Sequence, residues 1–93
     1  MNKPKIEVNF NELAGEDMVL LSRSDYREDI FGNKIHLYEG LGIDIFEPDY
    51  IDGARDDLIA SGYAVRCRDE LYKDVKWCCK IKDNWIRHES EIK

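Results

Sequence analysis

Short runs of alternating apolar and polar residues constrain this chain more than any other feature. The alternation is clearest in residues 6–10, 34–38 and 41–46. A period of two places the apolar side chains on one face of a β-strand. No stretch longer than about ten residues keeps the apolar spacing of a packed helix. The sequence therefore predicts an all-β protein with at most one short helix.

Turn signals separate these runs. Gly32 and Asn33 both tolerate positive φ and predict a tight hairpin. The polar residues 22–29 and the acidic residues 47–57 are interpreted as exposed surface loops. Residues 58–67 are expected to form the longest strand, with a bend or bulge at Gly62.

The C-terminal third of the chain predicts a further hairpin. Residues 76–81 and 85–89 have the composition of strands and flank a tight turn at 82–84. Within the first of these strands, Trp77 falls on the same face as Cys79. We therefore expect the indole of Trp77 to lie in the core.

The number and length of the strands predict a small closed sheet. Six or seven short strands in a chain of 93 residues fit a single domain. Strands this short are unstable alone, so closure of the sheet supplies the core and protects the edges. We expect a small antiparallel barrel or a compact sandwich. Residues 37–65 have the order strand, glycine, strand, acidic loop and strand, which is similar to that of an SH3-like barrel. We therefore favour an SH3-like barrel among the small β architectures.

The chain is acidic, and its charge is unevenly distributed. The 14 Lys and Arg residues against 20 Asp and Glu residues give a net charge of −6. Residues 1–61 hold 6 basic and 14 acidic residues, a net −8, whereas residues 62–93 hold 8 and 6, a net +2. Because an acidic domain repels phosphate backbones, sequence-independent nucleic-acid binding is disfavoured. A basic partner is favoured instead.

Cysteine content and hydropathy favour a cytoplasmic protein. The chain begins without the apolar stretch of a signal peptide, and its longest wholly apolar run, residues 18–21, is far too short to span a membrane. Three cysteines, Cys67, Cys78 and Cys79, are an odd number, which argues against a disulfide framework. Cys78 and Cys79 would be neighbours on a strand, so their side chains would point to opposite faces and could not easily share a metal ion. We therefore expect small buried thiols, with no metal and no cofactor. A zinc site assembled from Cys67, one of the adjacent pair and His88 remains an alternative.

Catalytic and calcium-binding motifs fit poorly. With Gly53 as the invariant glycine of a calcium loop, Pro48 and Tyr50 would occupy ligand positions. On a strand, His88 and Ser90 would share a face about 7 Å apart, too far for a hydrogen bond between base and nucleophile. We therefore expect that the protein is not an enzyme.

These observations predict a small acidic protein-binding module. Its size and charge are comparable with those of immunity proteins and other small inhibitors of basic enzymes. Recognition residues tend to lie in loops on a rigid sheet, where acids steer a basic partner and a tyrosine supplies a desolvated contact. The candidate partner-binding residues are Asp49, Tyr50, Asp52, Asp56 and Asp57.

Two other functions remain open. One is nucleic-acid binding by the predicted C-terminal hairpin, with Trp85 stacking on a base and Lys80, Lys82 and Arg87 on phosphates. The other is a subunit of an enzyme whose site lies between protomers. Salt-sensitive binding of a basic protein supports the protein-binding module, whereas retention of single-stranded nucleic acid supports the first alternative.

Overall fold

The computed structural model describes residues 3–14, 17–68, 72–82 and 86–92, and these form short β-strands. The strands, in chain order, are Lys5–Glu7 (β1), Met18–Ser22 (β2), Tyr26–Glu28 (β3), Lys34–His36 (β4), Gly42–Glu47 (β5), Tyr50–Ile51 (β6), Ala54–Arg55 (β7), Leu58–Arg66 (β8), Trp77–Ile81 (β9) and Arg87–His88 (β10). The described residues contain no α-helix and no helix long and apolar enough to cross a membrane. Glu89–Ile92 forms a turn of 3-10 helix. The predicted all-β class is confirmed.

One sheet carries most of the fold. Its strands lie in the order β1-β5-β8-β9-β2, and β10 also pairs with β8. β1 and β5 are parallel, whereas the other neighbours are antiparallel, so the pairing departs at one place from the antiparallel barrel that was predicted. The sheet curls into a half-barrel, which confirms the small β-barrel class. The SH3-like arrangement within that class stays a prediction.

The core lies on one face of this sheet. Alternate residues of β5, Ile43 and Ile45, are buried, as the period-two pattern predicts. In β9 the same face carries Trp77, Cys79 and Ile81, each less than 5% exposed. The prediction that Trp77 is a core residue is confirmed.

Gly62 lies in an unbroken part of the sheet, so a bulge at this position is wrong, while the predicted alternative of a bend stays a prediction. It pairs with Ile43 on one side and with Ile81 on the other. A Cβ atom at Gly62 would stand 2.1 Å from the carbonyl oxygen of Lys80. The glycine is therefore explained by the close approach of two backbones.

Arg27 of β3 bridges β1 and β2, the two strands at the open side of the half-barrel. Its guanidinium donates hydrogen bonds to the carbonyl oxygen of Leu21 in β2 and to that of Glu7 in β1. Burial lowers the pKa of the Arg27 guanidinium. Hydrogen bonds from a charged donor thus connect two strands that do not pair with each other.

Two hairpins lie outside the main sheet. β3 pairs with β4, so a hairpin forms around Gly32 and Asn33, but its connection spans five residues, 29–33, and the predicted two-residue turn is wrong. β6 pairs with β7. The exposed loops predicted over residues 22–29 and 47–57 are therefore wrong where β3, β6 and β7 occur. These strands were missed because they are two or three residues long and lack an apolar alternation.

The predicted C-terminal hairpin is wrong in its pairing. β9 lies along residues 62–66 of β8, and β10 lies along residues 58–59 of the same strand. β8 is the longest strand, as predicted, and its nine residues accommodate both partners end to end. Asp83 and Asn84 of the predicted turn at 82–84, and Trp85 at the start of the predicted second strand, lie outside the described residues.

The cysteines are free thiols, and the adjacent pair is fully buried. Cys79 belongs to the core cluster, whereas Cys78 lies on the opposite face of β9. Burial raises the pKa of the Cys79 thiol to about 12. Both thiols therefore act as small apolar side chains. Among the described residues, no three His, Cys, Asp or Glu side chains are grouped to hold a metal ion.

Candidate partner-binding site

The residues predicted to bind a partner lie on and beside the β6–β7 hairpin. The two residues of its turn, Asp52 and Gly53, have φ angles of 52° and 82°. Positive φ at both positions of a two-residue turn matches the right-handed twist of the flanking strands, and Asp-Gly is favoured there. The Asp-Gly pair is thus the sequence signal from which this hairpin could have been predicted.

Asp57 lies buried at the base of the hairpin. Its side chain is 8% exposed and accepts two hydrogen bonds from Arg55, at 2.8 Å from Nε to Oδ1 and 3.2 Å from the terminal nitrogen to Oδ2. These hydrogen bonds lower the pKa of Asp57 although burial alone would raise it. Asp57 therefore holds the second strand of the hairpin in place and does not face outward.

His88 connects the hairpin base to the C-terminal segment. Its Nε2 lies 2.9 Å from Oδ2 of Asp49, and its Nδ1 lies 3.3 Å from Oε1 of Glu91. The hydrogen bond with Asp49, assisted by Glu91, raises the pKa of His88 against the opposing effect of burial. The charged imidazolium is favoured because it lies between two carboxylates.

Asp56 makes the second connection to the C-terminal segment. Its carboxylate accepts hydrogen bonds from the backbone N–H of Ser90 at 3.0 Å and from the Ser90 hydroxyl at 2.7 Å. The backbone N–H of Asp56 in turn donates to the carbonyl oxygen of Asp49 at 2.8 Å. These contacts hold the Asp56 carboxylate against the C-terminal segment.

The tip of the hairpin is exposed. Tyr50 is 64% exposed and Ile51 is 43% exposed, and Asp52 also faces solvent. Ile51 was not among the residues predicted from the sequence, although an aliphatic residue within an acidic stretch is a usable signal. Of the five predicted residues, Tyr50 and Asp52 are displayed at the tip, while the three other acids hold the base.

His88 and Ser90 each contact acidic side chains of the described residues. Both ring nitrogens of His88 face carboxylates, and the Ser90 hydroxyl donates to Asp56. These contacts clamp the C-terminal segment onto the hairpin.

The residues of the nucleic-acid alternative are spread over different parts of the fold. Lys80 is exposed on β9, Lys82 is exposed just after it, and Arg87 is half-buried in β10. Because β9 and β10 do not pair, these residues do not share the two-stranded ribbon that was predicted. Trp85 lies outside the described residues.

Compared with protein-family models, with curated proteins and with solved structures, the chain shows no significant match.

Proposed function

We propose that this protein is a non-enzymatic protein-binding module whose β6–β7 hairpin contacts a basic partner protein. The observation that carries the proposal is an exposed tip, with Tyr50 and Ile51, on a base fixed by side-chain contacts. A displayed aromatic residue on a fixed support loses little conformational entropy on binding. Tyrosine is also enriched among the residues that dominate binding energy.

Charge supports a basic partner. Asp52 is exposed at the tip. By contrast, Asp49 and Asp57 face the cationic side chains of His88 and Arg55. Asp52, within a chain of net charge −6, therefore contributes to the field that steers a positively charged protein toward the hairpin.

The proposal includes a reducing compartment such as the cytoplasm. Cys78 and Cys79 lie on opposite faces of one strand, both fully buried, and the remaining cysteine is half-buried. Buried thiols of this kind behave as packing residues.

Capture with matched variants tests the proposal. The wild-type chain, Tyr50→Ala and Tyr38→Ala are immobilised and exposed to a nuclease-treated lysate of the source organism. Tyr38 is the control because its exposure of 56% is close to the 64% of Tyr50 and it lies outside the hairpin. We expect a basic protein to be retained by the wild type and by Tyr38→Ala and lost by Tyr50→Ala. Equal retention by all three chains, or capture that depends on nucleic acid, contradicts the proposal.

Binding kinetics with the captured protein then separate the two contributions. Tyr50→Ala is expected to speed dissociation, with a loss of about 1–2 kcal/mol. Asp52→Asn is expected to slow association and to flatten its salt dependence, because it removes charge without removing a packed contact. Surface plasmon resonance at two ionic strengths measures both effects.

A further inference from the structure

The turn between β3 and β4 displays a second apolar tip, at a different place in the fold. Phe31 is 77% exposed, more than any other large apolar side chain among the described residues. Its neighbour Ile30 is 47% exposed. A single exposed apolar residue is ordinary on a protein surface. What distinguishes Phe31 is the structure that holds it.

The carboxylate of Asp29 organises the turn around Phe31. Its Oδ1 accepts the backbone N–H of Phe31 and that of Asn33, both at 2.9 Å, and its Oδ2 accepts the Asn33 side-chain amide at 3.3 Å. The Gly32 N–H donates to the Asp29 carbonyl at 3.1 Å, with the Gly32 φ at 81°. Burial alone would raise the pKa of Asp29, but the hydrogen bonds from Asn33 and Phe31 lower it. The backbone of the turn is thus fixed before any partner arrives.

The turn is also fixed against the body of the protein. The backbone N–H of Ile30 donates to the carbonyl oxygen of Lys5 in β1 at 3.0 Å. Ile35 of β4 packs against the core. Phe31 therefore stands on a support joined to the main sheet, so a complex would not lose the entropy of ordering a free loop.

A carboxylate lies close to the turn that carries Phe31. Oε1 of Glu28 lies 4.0 Å from the position that a Cβ atom would take on Gly32. Lys34 stands opposite Glu28 across the hairpin, but its ammonium lies over the ring of Tyr26, 4.4 Å from the centroid. The tip is therefore an apolar side chain with a carboxylate at its rim.

We propose that Phe31 anchors a contact with a different protein, one that presents an apolar pocket rimmed by Lys or Arg side chains. A buried aromatic anchor with a complementary charged rim is a common anatomy of binding hot spots. A second copy of this chain is a poorer occupant, because two tips in contact would bring like carboxylates of Glu28 together on molecules of net charge −6. The inference is independent of the β6–β7 hairpin.

The two tips are separated in the fold. The Phe31 turn is bonded to Lys5, which lies opposite Asp44 near the start of β5. The β6–β7 hairpin follows the other end of β5, after Glu47. The two tips are therefore carried by different hairpins, which join the main sheet at different places along β5.

Site-specific photo-crosslinking in cells of the source organism tests this inference. The full chain carries p-benzoylphenylalanine either at position 31 or at position 38, where Tyr38 is also an exposed aromatic. We expect a discrete adduct with another protein from position 31 and none of the same mass from position 38. The crosslinked region of that protein should be apolar with Lys or Arg nearby.

Competition in the corresponding lysate decides whether the adduct depends on the tip. Unlabelled wild-type chain should abolish it, whereas Phe31→Ala should need at least about a tenfold higher concentration to do so. Asp29→Ala keeps the ring but loses the turn hydrogen bonds, and should compete more weakly than the wild type. Tyr50→Ala should compete as well as the wild type, which separates this inference from the proposed function.

Several results would overturn the inference. They are the absence of an adduct from position 31, an adduct with a second copy of the chain or with nucleic acid, and equal competition by Phe31→Ala and the wild type. Phe31→Ala should keep the wild-type unfolding temperature because the side chain is largely exposed, so circular dichroism melting confirms that a weaker competitor is still folded.

Discussion

The hairpins β3–β4 and β6–β7 have the same topology but are held in place differently. The inner side of β3–β4 contributes Ile35 to the packing of the core and Arg27 to the link between β1 and β2. All four strand residues of β6–β7 are exposed. That hairpin depends on polar contacts at its base, from Asp57 to Arg55, from Asp49 to His88 and from Asp56 to Ser90.

The difference shows two ways in which a short hairpin can be stabilised. An isolated two-stranded hairpin is marginal in water. Burial of side chains supplies the missing stability for β3–β4, and side-chain hydrogen bonds with the chain terminus supply it for β6–β7. The first hairpin should therefore respond to loss of buried contacts, and the second should respond to pH and to the geometry of its turn.

The largest effect is expected from Arg27→Met. The substitution keeps most of the side-chain length but leaves the carbonyl oxygens of Leu21 and Glu7 without their charged donor. We expect the free energy of unfolding to fall by about 2–3 kcal/mol. Urea titration followed by tryptophan fluorescence measures the change.

Arg23→Met is the matched control for this prediction. Arg23 lies 3.5 Å from Asp74, and both side chains are more than two-thirds exposed. An exposed pair of this kind contributes little, so the loss should stay within about 0.5 kcal/mol. Equal losses for the two variants would show that Arg27 does not join the two edge strands.

An intermediate effect is expected from Gly53→Ala in the turn of β6–β7. The site has open space for a Cβ atom, but its φ of 82° is unfavourable for alanine. The free energy of unfolding should fall by about 1–2 kcal/mol. Gly42→Ala is the control, because Gly42 is not among the positive-φ glycines and an added Cβ would meet the Lys3 side chain at an ordinary distance of 3.6 Å. A similar loss for both variants would contradict the turn conformation described here.

The smallest effect is a pH dependence that comes from His88. The folded-state pKa of His88 is raised by Asp49 and Glu91, with Asp56 adding to the field. Its stabilisation is therefore complete below the unfolded-state pKa of about 6.5 and is lost as pH rises through the folded-state pKa. We expect the stability difference between the wild type and His88→Gln to be larger at pH 5.5 than at pH 8.5.

Ser90→Ala provides the control for the pH measurement. It removes the hydroxyl hydrogen bond to Asp56, at 2.7 Å, without removing a group that titrates in this range. The stability difference between the wild type and Ser90→Ala should therefore be the same at both pH values. If the stability difference between the wild type and His88→Gln were the same at both pH values, His88 would not be a charged partner of Asp49 in the folded protein.

Part of the candidate site could be predicted from the sequence. The concentration of acids and the single tyrosine in residues 47–57 are visible there, and Asp52-Gly53 is a recognisable turn pair. Which acids face outward could not be predicted. That depends on His88 and Ser90, which lie more than 30 residues away in the chain and meet Asp49 and Asp56 only in the folded protein.

In the segments that alternate, the sequence by itself determined that the chain forms β-strands and which side chains enter the core. Both properties follow from the alternation of neighbouring residues, as in Ile43 and Ile45, since a strand sends successive side chains to opposite faces. Only the tertiary structure decided that β10 joins β8, that Arg27 connects β1 with β2, and that the acidic hairpin is clamped by the chain terminus. Each of these contacts joins residues distant in the chain, and its formation depends on the path of the whole backbone, which local alternation does not encode.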